Sequence, residues 1–220
     1  MDLGIVQITT IENEKTANRI AVLKEKIIPK CIALTGGKYT LVSPPNPTLK
    51  EVVENLGGTF QEYTAWEKDK SKKFRDGMIT RKEEWVCFWD DDTYPDDGLE
   101  GVTTFLQTAK PGQYGFRLTT PEGNRHQFGE DWMQYPHPQL KLHHRPLSYD
   151  LNTGFIEKSP TAYVSNSIIH REAYTFVEPF GIFQRAPDVH WCFGIKEAGF
   201  EVGFILNARA YHLGDRSDNR

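Results

Sequence analysis

The sequence of 220 residues predicts an α/β protein in which helices flank a mostly parallel central sheet. Short apolar segments rich in branched side chains alternate with segments of helical spacing over roughly the first ninety residues. This alternation is typical of parallel sheets covered by helices. The composition, 38% hydrophobic and 25% charged, is that of an ordinary globular protein. We therefore expect one domain, residues 1–220, built on one continuous sheet with a loose boundary near residue 110.

The first half of the chain predicts four strands and three helices between them. The strands are Leu3–Thr10, Tyr39–Val42, Thr59–Tyr63 and Trp85–Trp89, and the helices are Asn13–Leu34, Leu49–Leu56 and Lys68–Lys82. We expect Pro29 to kink or end the first helix, because proline lacks the backbone N–H. Gly57 and Gly58 are expected to cap the second helix.

The second half predicts further strands and helices with longer polar connections. The predicted helices are Gly98–Thr108 and Val189–Ala198, the latter ended by Gly199, and the strands are Tyr114–Thr119, Thr161–Ile169 and Val202–Leu206. Four histidines lie in Gly123–Arg145, but none has the tight helical spacing of a zincin motif. We expect no zinc site there.

Charge and cysteine content exclude some partners and indicate a compartment. The net charge of −4 and the pI near 6.0 give no general attraction to nucleic acid or to an anionic membrane. No apolar run approaches the ~18 residues that span a bilayer, and residues 1–15 lack the features of a secretory signal. Cys31, Cys87 and Cys192 are expected to be free thiols, so we expect a cytoplasmic protein.

Three consecutive aspartates, Asp90, Asp91 and Asp92, follow the apolar strand in the stretch WVCFWDDDTYPDD. Ligands of parallel sheets bind beyond the carboxyl ends of the strands, and hard divalent cations prefer carboxylate oxygens. Strand alternation predicts that Asp90 and Asp92 share a target while Asp91 faces away. The alternative is a solvated acidic turn, and TYPDDG directly after the aspartates is predicted to form one. An EF-hand calcium loop does not fit, because its glycine position would be Pro95.

Four segments, in order along the chain, resemble GT-A glycosyltransferases close to family 2. They are ITTIEN, KKFRDGMITRKEEWVCFWDDDTYPDDGLE, FGIFQRAPDVHWCFGIKEAGFEVGFI and ARAYHLGD. The resemblance implies a Rossmann-like GT-A fold with a nucleotide-sugar-binding half, residues 1–110, and an acceptor-binding half, residues 111–220. The implied partners are a nucleotide-sugar donor and a hydroxyl acceptor, which could be a glycan, a lipid-linked sugar, a protein or a modified base.

The resemblance also implies a divalent cation, Mn²⁺ or Mg²⁺, bound by Asp92 with Asp90 and His212. The donor-binding residues that it implies are Thr9, Glu12, Lys73, Arg75, Asp90 and Asp91. An acidic residue usually follows the second strand in the family, but this chain has SPPNP there. The nucleotide therefore stays unassigned, and Glu12 or Asn46 could take the part of that residue.

For the acceptor side, the resemblance implies that Asp188 is the general base of an inverting transfer. Family members often have Glu-Asp where this chain has Pro187-Asp188, and a helix N-cap is the alternative role for Asp188. Trp132 and Trp191 are predicted to form part of the acceptor wall, with plain packing as the alternative.

Two other functions stay open. A nucleotidyltransferase would also use aspartates, a divalent cation and a nucleotide, although ITTIENEKT lacks the glycine-rich phosphate loop that would favour it. The other is a carbohydrate- or metal-binding module without catalysis.

Overall fold

A nine-stranded mixed sheet forms the centre of the computed structural model, which describes residues 2–9, 17–63, 70–95, 100–119, 130–132, 142–144, 156–158, 166–175, 192 and 194–212. In chain order, the strands are β1 (Leu3–Ile8), β2 (Tyr39–Ser43), β3 (Thr59–Glu62), β4 (Trp85–Trp89), β5 (Thr93–Pro95), β6 (Gly112–Thr119), β7 (Glu130–Trp132), β8 (Leu142–His144), β9 (Ile156–Lys158), β10 (Ser167–His170) and β11 (Glu201–His212). Of these, β7 and β8 form a separate two-stranded sheet, and the other nine form the central sheet. All of its strands except β5, β9 and β10 run in one direction. The expected mostly parallel central sheet is confirmed.

Helices cover both faces of this sheet, as expected. They are α1 (Ala17–Val22), α2 (Ile28–Thr35), α3 (Pro47–Asn55), α4 (Lys70–Ile79), α5 (Glu100–Leu106) and α6 (Arg171–Thr175). One apolar layer packs α2, α3 and α5 against the sheet, and the other packs α4 and α6 against the opposite face. No helix among the described residues is both long and apolar enough to cross a bilayer.

The helix after β1 passes through Pro29 instead of ending there. A π-helical turn, Leu23–Ile27, joins α1 to α2, and the proline is the second residue of α2. A regular α-helix would place the proline ring against the carbonyl of Glu25, and a wider turn relieves that clash. The expected kink or end at Pro29 is therefore replaced by a local widening of a continuous helix.

Glycines end two helices in the predicted way. Gly57 has φ of 85°, and the N–H of Gly58 donates to the carbonyl of Val53 at 2.9 Å. Gly199, which follows the helical residues 194–197, has φ of 88°, and the N–H of Phe200 donates to the carbonyl of Ile195 at 3.1 Å. Both are Schellman-type caps, which need a left-handed residue that glycine adopts without strain.

The strand order is β3-β2-β1-β4-β10-β6-β11-β5, with β9 also paired to β11. The chain first adds β2 and β3 on one side of β1 and then crosses over to place β4 on its other side. The carboxyl ends of β1 and β4 therefore meet at the topological switch point, which is where open α/β sheets bind ligands. Strands from both predicted halves pair within this one sheet.

Two strands in the second half differ from their predicted limits. The predicted strand Thr161–Ile169 begins at Ser167 among the described residues, because Asn166 has φ of 66°, which is outside the extended region. The predicted strand Val202–Leu206 is longer than expected and runs to His212. Its last residues pair with β5, which lies in the stretch predicted as an acidic turn.

Candidate functional site

The aspartates lie at the switch point, in a turn that follows β4. The strand ends at Trp89, which is fully buried, and the N–H of Thr93 donates to the carbonyl of Asp90 at 3.3 Å. Gln7 on the neighbouring β1 donates from Nε2 to the same carbonyl at 2.9 Å. The Tyr39 hydroxyl in turn donates to Gln7 Oε1 at 2.6 Å. Side chains of two adjacent strands thus anchor the backbone of the turn.

Asp91 is the most deeply placed of the three carboxylates, with 7% of the residue exposed. The Thr9 hydroxyl, just beyond β1, donates to its Oδ2 at 2.8 Å, and Arg19 Nη2 lies 3.0 Å from its Oδ1. Burial raises the pKa of Asp91 above its ordinary value, although the Arg19 charge and the Thr9 hydrogen bond act to lower it. Both Asp91 oxygens are therefore held by side chains, one from the residue that follows β1 and one from α1.

Arg19 links Asp91 to Asp92. The same Nη2 nitrogen lies 3.0 Å from Asp92 Oδ2, while the Thr93 hydroxyl lies 3.3 Å from Asp92 Oδ1. The expectation that Asp91 faces away from Asp92 is wrong, because both carboxylates contact the same guanidinium nitrogen. Because β4 ends at Trp89, strand alternation does not apply to the aspartates that follow it. In the turn, Asp91 and Asp92 both contact the side chain of Arg19.

The backbone of His212 lies beside this turn. His212 is the register partner of Thr93, the residue that follows Asp92, in the antiparallel pairing of β11 with β5. The His212 side chain lies outside the described part of the structure. Within the described residues, no three His, Cys, Asp or Glu side chains form a group that could hold a metal ion.

The residues present nevertheless suit a divalent cation chemically. Asp90 and Asp92 offer hard carboxylate oxygens at the rim of the site, where both residues are partly exposed. The Arg19 guanidinium, which contacts both Asp91 and Asp92, already places one positive charge at this turn. Asp90 and Asp92 are therefore the residues whose carboxylates would hold a cation bound at this turn.

The predicted donor-binding residues fall in different places. Thr9 belongs to the cluster just described. Lys73 on α4 is buried, with Nζ 5.3 Å from the centre of the Tyr63 ring, just past the carboxyl end of β3. Arg75 Nε lies 3.6 Å from Asp76 Oδ1, and its charge acts on Tyr174 of α6. No described contact joins Arg75 to the three aspartates.

The side chains of four other predicted site residues lie outside the described part of the structure. Glu12, Asp188 and Trp191 lie outside the described residues. The backbone of Trp132 belongs to β7 and pairs with Leu142 of β8, but its side chain lies outside the described part.

Sequence reasoning missed Arg19 and Gln7. Neither stands in a motif, and Arg19 precedes Asp92 by 73 positions. The only sequence signal for Arg19 is a cation near the start of the helix that follows the first strand, at the edge of the sheet where ligands bind.

Comparison with solved structures identifies the fold. GalNAc-T7 with UDP, GalNAc and Mn²⁺ superposes with a TM-score of 0.66 at 13% identity, covering 96% of this chain and 43% of that one. TarS of S. aureus with UDP-GlcNAc gives 0.57 at 13% identity, covering 96% and 58%. The chain thus spans less than two thirds of the length of either glycosyltransferase.

A third similar structure belongs to another class of enzyme. The inositol-1-phosphate CTP transferase of T. maritima gives a TM-score of 0.56 at 9% identity and covers 96% of this chain and 89% of that one. No protein-family model matches the sequence, and no curated protein matches it. Membership of glycosyltransferase family 2 therefore stays a prediction. The strand order, the flanking helices and the two glycosyltransferase structures together show that this chain has the GT-A fold.

Proposed function

We propose that this chain transfers a sugar from a nucleotide-sugar donor to a hydroxyl acceptor. One observation carries the proposal: Thr9, Arg19, Asp91 and Asp92 form a connected polar cluster at the switch point of a GT-A fold. A cluster of buried and partly buried charges at that edge suits a charged ligand. The similar structures include enzymes with UDP or a UDP-sugar bound, which supports a nucleotide-sugar as that ligand.

In this proposal, residues 1–110 hold the donor, and Asp92, Asp90 and His212 hold a divalent cation, Mn²⁺ or Mg²⁺. The cation supplies positive charge that stabilises a departing nucleoside diphosphate. Asp91 is held by Thr9 and Arg19 and fixes the turn that carries the two ligands. Lys73 lies at the same edge beside β3 and would face the nucleotide end of the donor, with Glu12 contributing from the loop after β1.

The acceptor step is assigned to residues 111–220. Asp188 takes the proton of the acceptor hydroxyl while that oxygen forms a bond to the anomeric carbon. The bond from the anomeric carbon to the diphosphate oxygen breaks, and the electron pair leaves with the nucleoside diphosphate. Attack opposite the leaving group inverts the anomeric centre. Trp132 and Trp191 offer flat apolar surfaces on which a sugar ring can stack.

A nucleotidyltransferase is the second candidate function. The similar T. maritima enzyme, of which this chain covers 89%, supports it. That reaction breaks a bond within the nucleoside triphosphate and releases pyrophosphate, whereas glycosyl transfer releases a nucleoside diphosphate. A module that binds a sugar or metal without catalysis would release neither product.

The product distinguishes these functions. The purified chain is incubated with Mn²⁺ and, separately, with a panel of nucleotide-sugars and of nucleoside triphosphates with sugar phosphates. We expect slow release of a nucleoside diphosphate from one nucleotide-sugar, with water as the acceptor, and loss of that release in Asp188→Asn. Pyrophosphate release would instead establish the nucleotidyltransferase, and absence of both products would favour the binding module.

A further inference from the structure

Arg19 places a positive charge between two carboxylates, as a metal ion bound at this site would. Its Nη2 nitrogen lies 3.0 Å from both Asp91 Oδ1 and Asp92 Oδ2, so one guanidinium neutralises repulsion between adjacent carboxylates. The Arg19 side chain is 21% exposed and the aspartate side chains 9% and 15%. At this depth, solvent screens the attraction less than it does at the surface.

Asp91 and Asp92, the two carboxylates that Arg19 contacts, differ in burial and in the length of their hydrogen bonds to hydroxyl groups. Asp91 is also held by the Thr9 hydroxyl at 2.8 Å, so it keeps its position if Arg19 moves. Asp92 lies nearer the rim, and its hydroxyl neighbour Thr93 stands at the longer distance of 3.3 Å. The Arg19–Asp92 contact is therefore the half that can exchange without disturbing Asp91.

Arg19 also has donor capacity left for a ligand. Its Nε atom is buried and has no hydrogen-bond partner among the described residues. A buried N–H without a partner is costly, and a phosphate oxygen satisfies it well, because the planar guanidinium matches phosphate geometry. The donor that we have proposed carries such phosphates to this edge of the sheet.

We infer that Arg19 is an exchangeable counter-ion, which a divalent cation displaces from Asp92 and which then binds a phosphate of the incoming donor. This inference rests on the proposed function, since it names the phosphate group of that donor as the ligand. In the free protein, Arg19 holds Asp91 and Asp92. In the protein with cation and donor bound, Asp92 would bind the cation. Arg19 would stay in contact with Asp91, and its remaining N–H groups would donate to the phosphate.

The exchange predicts that removal of Arg19 has opposite effects on the two ligands. Mn²⁺ alone binds Arg19→Ala more tightly than the parent, by roughly five- to tenfold, because its competitor is gone. UDP in saturating Mn²⁺ binds Arg19→Ala more weakly, by a similar factor, because a phosphate contact is lost. A residue that only fills space does not produce these opposite changes. A residue that only adds positive charge does produce them, so Arg19→Lys, which keeps the charge, decides between charge and a guanidinium contact. UDP affinity equal to that of the parent in Arg19→Lys would overturn the phosphate contact.

Binding of Mn²⁺ is measured by electron paramagnetic resonance of the free ion, and UDP binding by calorimetry, with CDP, GDP and ADP titrated beside it. Lys50→Ala is the matched control, since Lys50 is an exposed cation on α3 that lies 3.9 Å from Glu54. It removes the same charge and leaves both affinities unchanged. Arg19→Lys keeps the charge but loses the planar fork, and serves if Arg19→Ala does not fold. We expect Arg19→Lys to bind Mn²⁺ as the parent does and UDP more weakly.

The outcomes separate this inference from the proposed function. Unchanged or weaker Mn²⁺ binding in Arg19→Ala overturns the exchange, even if nucleotides bind the parent. Tighter Mn²⁺ binding with equal or tighter UDP binding leaves Arg19 as a simple counter-ion and also overturns it. Tighter Mn²⁺ binding in a protein that binds no nucleotide supports the displacement but contradicts the proposed function. If the parent and both Arg19 variants bind no Mn²⁺, the exchange is overturned.

Discussion

His212 and Thr93 are paired residues of two antiparallel strands, although 119 positions separate them in the chain (212 − 93). The pairing brings the end of the long strand β11 beside the turn that carries Asp92. Two parts of the proposed metal site, the aspartate turn and the end of β11 with His212, are thus held together by backbone pairing. Several measurable consequences follow from this arrangement and from the contacts around it.

Replacement of His212 by alanine should weaken metal binding. If His212 is a ligand, we expect His212→Ala to lower the affinity for Mn²⁺ in the presence of UDP by roughly tenfold or more. The control is His170→Ala, because His170 pairs with Trp85 at the opposite end of β4 and lies 3.2 Å from Glu84. Calorimetric titration of Mn²⁺ measures both. Equal affinities in the two variants would remove His212 from the metal site.

Replacement of Thr9 by valine should destabilise the protein in a pH-dependent manner. The variant keeps the shape of Thr9 but removes the 2.8 Å hydrogen bond to buried Asp91, at a cost of about 1–3 kcal/mol. Burial raises the folded-state pKa of Asp91 above the unfolded value of 3.8, so its ionisation costs stability as the pH rises through that interval. The Thr9 hydrogen bond lowers this pKa, so its loss enlarges the cost at neutral pH.

The difference in unfolding free energy between Thr9→Val and the parent should therefore be largest near neutral pH and shrink as Asp91 becomes protonated. Urea unfolding with a chelator present, at neutral pH and near pH 4, measures it. Thr108→Val is the control, because Thr108 is exposed and its hydroxyl makes a long, 3.5 Å contact with the Phe105 carbonyl. A Thr9→Val penalty that is the same at both pH values would contradict the link to Asp91.

Replacement of Gly77 by alanine should destabilise the fold although alanine favours helices. A Cβ at Gly77 would overlap Val6 Cγ1 and lie 2.9 Å from Val42 Cγ2, so α4 has to move away from β1 and β2. We expect a loss of about 1–3 kcal/mol, as for overpacked cores. Ile79→Ala on the same helix is the control, since Ile79 is 76% exposed and should change stability by less than about 0.5 kcal/mol. A gain in stability for Gly77→Ala would show that α4 is not packed this closely.

Substitutions of Asn166 should separate backbone strain from side-chain contacts. Asn166 has φ of 66° and is buried, and its Oδ1 has no hydrogen-bond partner among the described residues. Glycine tolerates this conformation, whereas alanine pays roughly 1–2 kcal/mol for it. We expect Asn166→Gly to match the parent in stability and Asn166→Ala to fall below it, both by thermal unfolding. If the two variants are equally destabilised, the amide side chain rather than the backbone decides the stability at this position.

The sequence predicts the elements well where local chemistry determines them. Branched apolar runs mark β1, β2 and β4, and the glycines at 57 and 199 mark helix ends, because each signal lies within a few residues of its effect. Alternation of strand and helix also predicts a mostly parallel sheet, and the aspartates at the end of β4 follow from it.

Contacts between distant parts of the chain were beyond such signals. Pairing of β11 with β5 depends on how the whole sheet closes, so local chemistry predicts only an acidic turn after the aspartates. The predicted orientation of Asp91, facing away from Asp92, is wrong, because periodicity does not show where a strand ends. Arg19 was missed because its role comes from two ion pairs that only the fold creates.

The most direct test of the central claim is thermal unfolding of the parent and Asp92→Ala with Mn²⁺ and a panel of nucleoside diphosphates. A ligand at a hundredfold excess over its dissociation constant stabilises the folded state by ~2.7 kcal/mol. We predict that one nucleoside diphosphate raises the melting temperature of the parent only when Mn²⁺ is present, and that Asp92→Ala loses this shift. Stabilisation by Mn²⁺ alone, with no response to any nucleotide, would contradict a nucleotide-sugar donor site at this turn.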